Sequence, residues 1–359
     1  MRVLIAPDKF SGTLTAVEAA EAIAEGWRSR APDDELDLCP MADGGPGFVD
    51  VLHASLGGRM LAATVSDPTG CEVPATVLCV GETAYVESAQ ACGLHLMGDV
   101  PVQSGSTYGV GELVRAAIDS GAGRVVVGLG GSGTNDAGAG MLQALGAVGD
   151  VPMDAGYAML QAIRQFSPGP EIGVELVAAT DVDSPLTGLF GATKTFGPQK
   201  GIPEELIAGV DAILERFADL AGRRTSLEKG AGAAGGLGYG LLLLGATRVS
   251  GIGLVSDAVD LPGRAARADL VITGEGAFDF SSRSGKVPYG VAEVAAEALR
   301  PCIALAGQVL VGSREMRALG VESAYAMVDL VGEERAMGDP SGALADLAER
   351  TARTWSRRD

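Results

Sequence analysis

Apolar and polar positions follow two rhythms along this chain. Short apolar runs that stop at glycine, proline or an acidic loop read as strands: RVLIA (2–6), ELDLCP (35–40), RVVVGLG (124–130), ELVAA (175–179), ADLVITGEG (268–276), PCIALAG (301–307) and SAYAMVDL (323–330). Between them, apolar residues recur at helical spacing in AVEAAEAIAEGWRSR (16–30), 47–56, 107–120, 138–145, 204–222, 291–300 and 343–355. Thr15 followed by Glu18 forms a capping box at the start of the first of these helices. Strand–helix–strand succession with loops at the strand exits predicts a parallel sheet covered by helices.

The rhythm changes after residue 57. VSDPTG (65–70) is a turn signal, and CEVPATVLCV with TAYVESA predicts a hairpin or meander. The last third resumes the plain alternation of the N-terminus. An economical arrangement is a discontinuous domain built from 1–67 and 262–359, with 68–261 inserted as a second domain. A length of 359 residues supports two cores rather than one.

Composition narrows the function classes. The net charge of −19 and the absence of a Lys/Arg cluster exclude a duplex-binding role, while leaving room for a small anionic substrate held by local amides and a lysine. The charge also fits a merely soluble acidic surface. Five cysteines without a CxxC pair and only two histidines predict neither a disulfide scaffold nor a His-rich zinc site. The chain opens on a strand-like run without a basic segment and a longer apolar one, and LVITG and GLLLLGA are too short to span a bilayer, so a cytoplasmic location is expected. Fifty-three glycines, about twice the usual ~7% share, have no period and serve turns or close backbone approaches.

Those glycines collect at strand exits together with acids and lysines. GLGGSGTNDAG (128–138) sits between a strand and a helix. Gly130, Gly131 and Gly133 can expose amides there, Ser132, Thr134 and Asn135 can add donors, and Asp136 can orient a metal ion or a hydroxyl. A glycine turn with an Asp/Asn cap is the competing reading, and the G-x-G-x-x-G spacing from Gly128 to Gly133 lacks a suitably placed acid for a dinucleotide. MADGGPG places Asp43, Gly44 and Gly45 at the carboxyl end of a strand, as a ligand loop or a tight turn. Asp8 and Lys9 follow the first strand, Asp181 and Asp183 follow another, and Lys200 lies in GPQKG before a helix. KGAGAAGGLG (229–238) is either an anion loop or a close helix contact. Gly274, Glu275, Asp279 and Lys286 complete the set: Glu275 can bind magnesium or order a water, and Lys286 can meet a phosphate at a helix start. Phosphoryl transfer needs this inventory of amides, lysines and carboxylates, and no histidine or activated cysteine. No GxSxG supports serine-hydrolase chemistry.

Taken in order, IAPDKFSGTLTA, PMADGGPG, SDPTG, STYGVGEL, GLGGSGTNDAGAGMLQALG, ATDVDSPLTG, GATKTFGPQKG, GAGAAGGLG, ADLVITGEG and SGKVPYGVA resemble the bacterial glycerate kinases over nearly the whole chain. The resemblance implies ATP-dependent, magnesium-assisted phosphorylation of D-glycerate to 2-phosphoglycerate. It also implies two unlike α/β domains, one Rossmann/flavodoxin-like with a parallel sheet and the other a mixed α/β domain inserted into it, with the active site in the cleft between them. By the same resemblance Asp181, Asp8, Lys9 and Lys286 are catalytic, with Asp181 the first choice of base. Asp43, Gly44, Gly45, Gly130, Gly131, Ser132, Gly133, Thr134, Asn135, Lys200 and Gly274 bind substrate or phosphate, and Asp136 and Glu275 bind the metal. Small-molecule partners, ATP and a hydroxy acid, are expected, in a monomer or homodimer without nucleic acid or membrane. The chain departs from the family pattern at Pro46 (usually glutamate), Ala277 and Ser281 (usually arginine and glutamine), Ser11 (usually lysine) and Ser184 (usually asparagine). Losing an arginine fork weakens recognition of a planar carboxylate. Kinases of a related hydroxy acid or alcohol, and a weakly active nucleotide- or sugar-acid-binding homologue, are the alternatives.

Overall fold

The computed structural model describes residues 1–10, 12–279 and 286–356, so the departures at Ser11 and Ser281 lie outside the described residues. Its strands in chain order are β1 (Arg2–Ile5), β2 (Glu35–Leu38), β3 (Arg59–Ser66), β4 (Glu72–Val80), β5 (Thr83–Glu87), β6 (Arg124–Gly128), β7 (Val148–Gly149), β8 (Phe166–Ser167), β9 (Glu175–Ala179), β10 (Thr247–Val249), β11 (Leu270–Phe278), β12 (Cys302–Val309) and β13 (Ser323–Ala326). The chain divides into two compact units. The first holds Met1–Asp43, Asp50–Leu56 and Ile252–Asp359, and the second holds Gly44–Val49 and Gly57–Gly251.

The first unit is an all-parallel five-stranded sheet in the order β13-β12-β11-β1-β2. Counted within the unit this is 2-1-3-4-5, the flavodoxin-like doubly wound order, with its switch point between β1 and β11. Alternate strand residues serve the two faces. Val3, Ile5, Ile272, Ile303 and Leu305 pack on one face with Ile23 and Trp27 of the helix Ala16–Arg30 and Leu344 and Leu347 of the helix Pro340–Trp355. The capping box at Thr15 is formed: Glu18 N–H donates to Thr15 Oγ1 at 3.2 Å, and Thr15 N–H donates to Glu18 Oε2 at 2.8 Å.

The second unit is a six-stranded mixed sheet in the order β10-β9-β6-β5-β4-β3. β4 and β5 are the antiparallel pair expected from CEVPATVLCV and TAYVESA, β3 adds a third antiparallel strand that the sequence pattern does not mark, and β5, β6, β9 and β10 are parallel. Because β3 pairs along its whole length with β4, residues 59–66 fall in this unit rather than in the N-terminal domain expected for 1–67. The helix Leu261–Arg267 and the residues back to Ile252 fall in the first unit, earlier than the expected start at 262. The buried core gathers Val77, Val86, Val127, Leu113 and Phe217, with Phe217 edge-on to Tyr239 at 6.3 Å.

SAYAMVDL is strand only as far as Ala326; Met327–Val331 is helix. The apolar run is too short for its period to separate the two states.

Candidate active site

At the switch point of the first unit the chain leaves β1 as Ala6-Pro7-Asp8-Lys9. Asp8 N–H donates to the Gly274 carbonyl at 2.8 Å, which carries the β1–β11 pairing past the end of β1 and holds Asp8 against β11. The strand expected over ADLVITGEG forms and includes TGEG. β11 runs through it, with Glu275 paired opposite Ala306 of β12, so Gly274 and Glu275 are strand residues. Glu275 is buried, and its side chain lines a cavity of ≈ 390 Å³ at this sheet edge. Asp8, Lys9, Asp43, Asp279 and Lys286 line the same cavity. Six sequence-predicted residues from segments up to 278 positions apart, from Asp8 to Lys286, thus share one space.

Charge is concentrated there. Lys9 Nζ stands 3.6 Å from Asp8 Oδ1 and 3.9 Å from Asp43 Oδ1. The Lys9 N–H donates to Asp8 Oδ1 at 2.7 Å. Burial pushes the Asp8 carboxyl up to about 6, against the pull of Lys9 and with the help of Asp43. A carboxyl tuned to that range can take a proton at neutral pH and is a general-base candidate. Ala277, one of the departures from the family pattern, also faces the cavity.

The glycine-rich loop after β6 belongs to the second unit and is built differently from its sequence reading. Asp136 is fully buried and spends its carboxylate inside the protein. Its oxygens accept from Thr107 N–H (2.9 Å), Thr107 Oγ1 (2.8 Å), Gly138 N–H (3.1 Å) and Gly140 N–H (3.2 Å). Through these bonds Asp136, expected at the metal, holds together the helix starts at Tyr108 and Ala139. Its pKa is raised by burial and held down by those same bonds.

Lys200 is likewise turned inward. Its ammonium donates to Ser132 Oγ at 2.8 Å and to the Thr134 carbonyl at 2.7 Å. Burial lowers its pKa to about 8, while Asp136 acts in the opposite sense. The neighbouring Cys92 thiol is pushed up to about 12 by burial and stays protonated. Lys200 therefore braces the loop, and Ser132, Thr134 and Asn135 are buried with it. Asn135 Nδ2 donates to Thr193 Oγ1 at 3.0 Å. Gly133 N–H donates to the Cys92 carbonyl at 2.8 Å. Gly130 and Gly131 remain the accessible part of the loop.

Gly44 and Gly45 meet that loop backbone to backbone within the second unit. A Cβ on Gly130 would lie 2.6 Å from Gly45 Cα, and one on Gly44 would lie 2.9 Å from the Ala179 carbonyl oxygen. Pro46 packs against Gly131. The segment KGAGAAGGLG takes the second of its two readings: the Gly235 carbonyl accepts from Ala137 N–H at 3.0 Å, so this is a close contact with the β6 loop. Asp181, at the exit of β9, accepts from Ser250 Oγ at 2.6 Å. Asp183 is tied to Arg248 (2.6 Å) and Lys229 (3.0 Å), which separates its role from that of Asp181.

Sequence reasoning missed Glu87 at the end of β5, which accepts from Gly47 N–H (3.1 Å) and Val49 N–H (3.3 Å) and so fixes the MADGGPG loop. It also missed Gln308, Met327, Val328 and Met337 on the cavity wall. Gln308 is a polar residue near the carboxyl end of the apolar strand β12, close to the kind of strand-exit position that located Asp8.

A family model described as the glycerate kinase family matches residues 3–356. The chain belongs to the glycerate kinase family. A glycerate kinase from Bacillus subtilis is 41% identical, covering 98% of this chain and 96% of its own. Glycerate 2-kinase from Escherichia coli is 37% identical over 92% of each chain. A crystal structure of a protein designated glycerate kinase 2 from Salmonella typhimurium LT2 superposes with a TM-score of 0.80 at 36% identity, covering 99% of this chain and 98% of its own. The family makes this chain a kinase, a phosphotransferase with two α/β units. Among the described residues no helix is long and apolar enough to cross a membrane.

Proposed function

We propose that this glycerate kinase family member transfers the γ-phosphoryl group of ATP to the 2-hydroxyl of D-glycerate. The observation that carries the reading is the convergence of Asp8, Lys9, Asp43, Glu275 and Lys286 on one cavity at the switch point of a doubly wound sheet. In this reading Asp8 accepts the proton of the attacking hydroxyl. The hydroxyl oxygen bonds to the γ-phosphorus as the bond to the bridging oxygen breaks and ADP leaves. Lys9 and Lys286 offset the phosphate charge, which is most of what such a transfer asks of a protein. Asp181, fixed by Ser250, is the second candidate for the base.

Magnesium fits the donor set. Among the described residues no group of three or more metal-binding side chains is gathered. Mg²⁺, however, is usually held by one or two carboxylates with waters and substrate phosphates completing the shell. Glu275 and Asp43 would hold it, where it would neutralise charge on the phosphates. Work in the cytoplasm, where ATP is abundant, belongs to the same reading.

The test is direct. Purified protein is given ATP, Mg²⁺ and a panel of hydroxy acids, and phosphorus NMR locates the new ester. Formation of 2-phosphoglycerate is expected. Turnover confined to another hydroxy acid or alcohol, or ATP binding without transfer to any acceptor, would refute it.

A further inference from the structure

The cavity of the first unit has two ends of different chemistry. One carries Asp8, Lys9, Asp43, Glu275 and Lys286. The other, beyond the edge strand β13, is walled by Met327, Val328, Ala336 and Met337, and Gln308 on β12 comes between the two in the strand order. A three-carbon hydroxy acid carries a carboxylate and two hydroxyls on only two C–H carbons, so it has little apolar surface to bury against two methionines and a valine. At ≈ 390 Å³ the space lies in the ~300–1,000 Å³ range of sites that enclose drug-sized ligands.

Met337 sharpens the point. It is 62% exposed while lining the cavity, whereas Met327 beside it is 2% exposed. An exposed thioether at the rim of an apolar wall is poorly used in the free protein, and it gains both burial and a sulfur–ring contact when a flat ring covers it. Gln308 leaves β12 at the carboxyl edge, half-buried, and offers one amide acceptor and one amide donor. A side-chain amide of this kind matches the amino group and ring nitrogen on the edge of adenine. Apolar faces, an amide for the edge, and lysines at the far end describe a purine nucleotide in that order.

Building on the kinase reading above, we propose that the helices Met327–Val331 and Glu333–Gly338 form the base subsite for the adenine of the nucleotide, with Val328 and Met337 on the ring and Gln308 on its edge. The phosphates then extend toward Lys9 and Lys286, and the acceptor needs no part of the apolar wall.

The experiment uses the full chain and the variants Met337→Glu, Met337→Leu and Gln308→Ala, each first checked for an unchanged melting temperature. Binding of ADP is measured by calorimetry, and KM is measured separately for ATP and for glycerate. Met337→Glu is expected to weaken ADP and raise KM for ATP about tenfold, with KM for glycerate within about twofold of wild type, and Met337→Leu, which keeps the apolar surface and loses the sulfur contact, is expected to fall between wild type and Met337→Glu. Gln308→Ala is expected to lower the preference for ATP over GTP. A rise in KM for glycerate alone would give the apolar wall to the acceptor and overturn the proposal, as would ADP binding indifferent to Met337→Glu. ADP binding is the arm that survives a failure of the glycerate assay: weakened ADP with no glycerate turnover would leave the base subsite standing and remove only the acceptor reading.

Discussion

Replacing Lys200 with methionine probes the brace under the glycine-rich loop. The substitution removes a buried ammonium and also strips Ser132 Oγ and the Thr134 carbonyl of their donor. Each unpaired group costs about 1–3 kcal/mol, and relief from the buried charge works the other way, so the change at a single pH is small. The pH dependence is decisive. Burial takes Lys200 from the ordinary 10.5 to about 8; at about 1.4 kcal/mol per pH unit, the charged form costs the fold about 3 kcal/mol. Between those two values the unfolded chain keeps a proton that the folded chain has released, so stability rises with pH across that window. Between about pH 7 and about pH 9.5 the wild type should gain about 2 kcal/mol from this one group. The adjacent Cys92, near 12, stays protonated throughout. Urea unfolding of wild type and Lys200→Met at a series of pH values should show the wild-type-minus-variant difference growing by that amount. Parallel curves would mean a solvated lysine that titrates ordinarily, and the account of the loop would be wrong.

The other expected outcomes concern the carboxylates. Asp8→Asn should lower kcat about 10²-fold or more if Asp8 is the base. The acid limb of kcat/KM, rising with pH through about 6 in the wild type, should vanish with it. Because the folded Asp8 pKa is raised, its stabilising contribution is complete only below the ordinary value of 3.8 and is lost as pH rises through about 6. Asp8→Asn should therefore melt higher than wild type at neutral pH, by calorimetry. Asp181→Asn, assayed beside it, should keep that acid limb; its loss there instead would transfer the base role to Asp181. Asp136→Asn turns an amide N–H₂ toward backbone donors and should destabilise the second unit by about 2–4 kcal/mol in denaturant titration, with no change in the Mg²⁺ concentration that half-saturates the reaction. Lys286→Ala should raise KM for ATP more than KM for glycerate in steady-state kinetics.

Much of the molecule was legible from local pattern. The strands β1, β6, β9 and β12 grow from short apolar runs bounded by proline, glycine or a polar loop, and the helix Ala16–Arg30 announces itself with Thr15 and Glu18. Asp8, Lys9 and Asp43 stood out because an acid or lysine at a strand exit needs a reason to be there. Legibility ended where one residue pattern serves two geometries. SAYAMVDL looks like one strand because its apolar run is unbroken, yet it turns into helix at Met327. Lys200 and Asp136 look like ligand contacts because they are charged and sit among glycines, yet each is satisfied within the second unit.

The amino-acid order by itself determined the element types, the parallel character of the first sheet and the family, since these rest on periodicity, caps and motifs that are contiguous in the chain. The tertiary structure alone decided which charged residues face a cavity and which face the interior. Burial is a property of neighbours brought from distant positions. It moves Asp8 up to about 6 and Lys200 down to about 8 by the same mechanism, the loss of water around a charge. Nothing in the residues flanking either one records that loss.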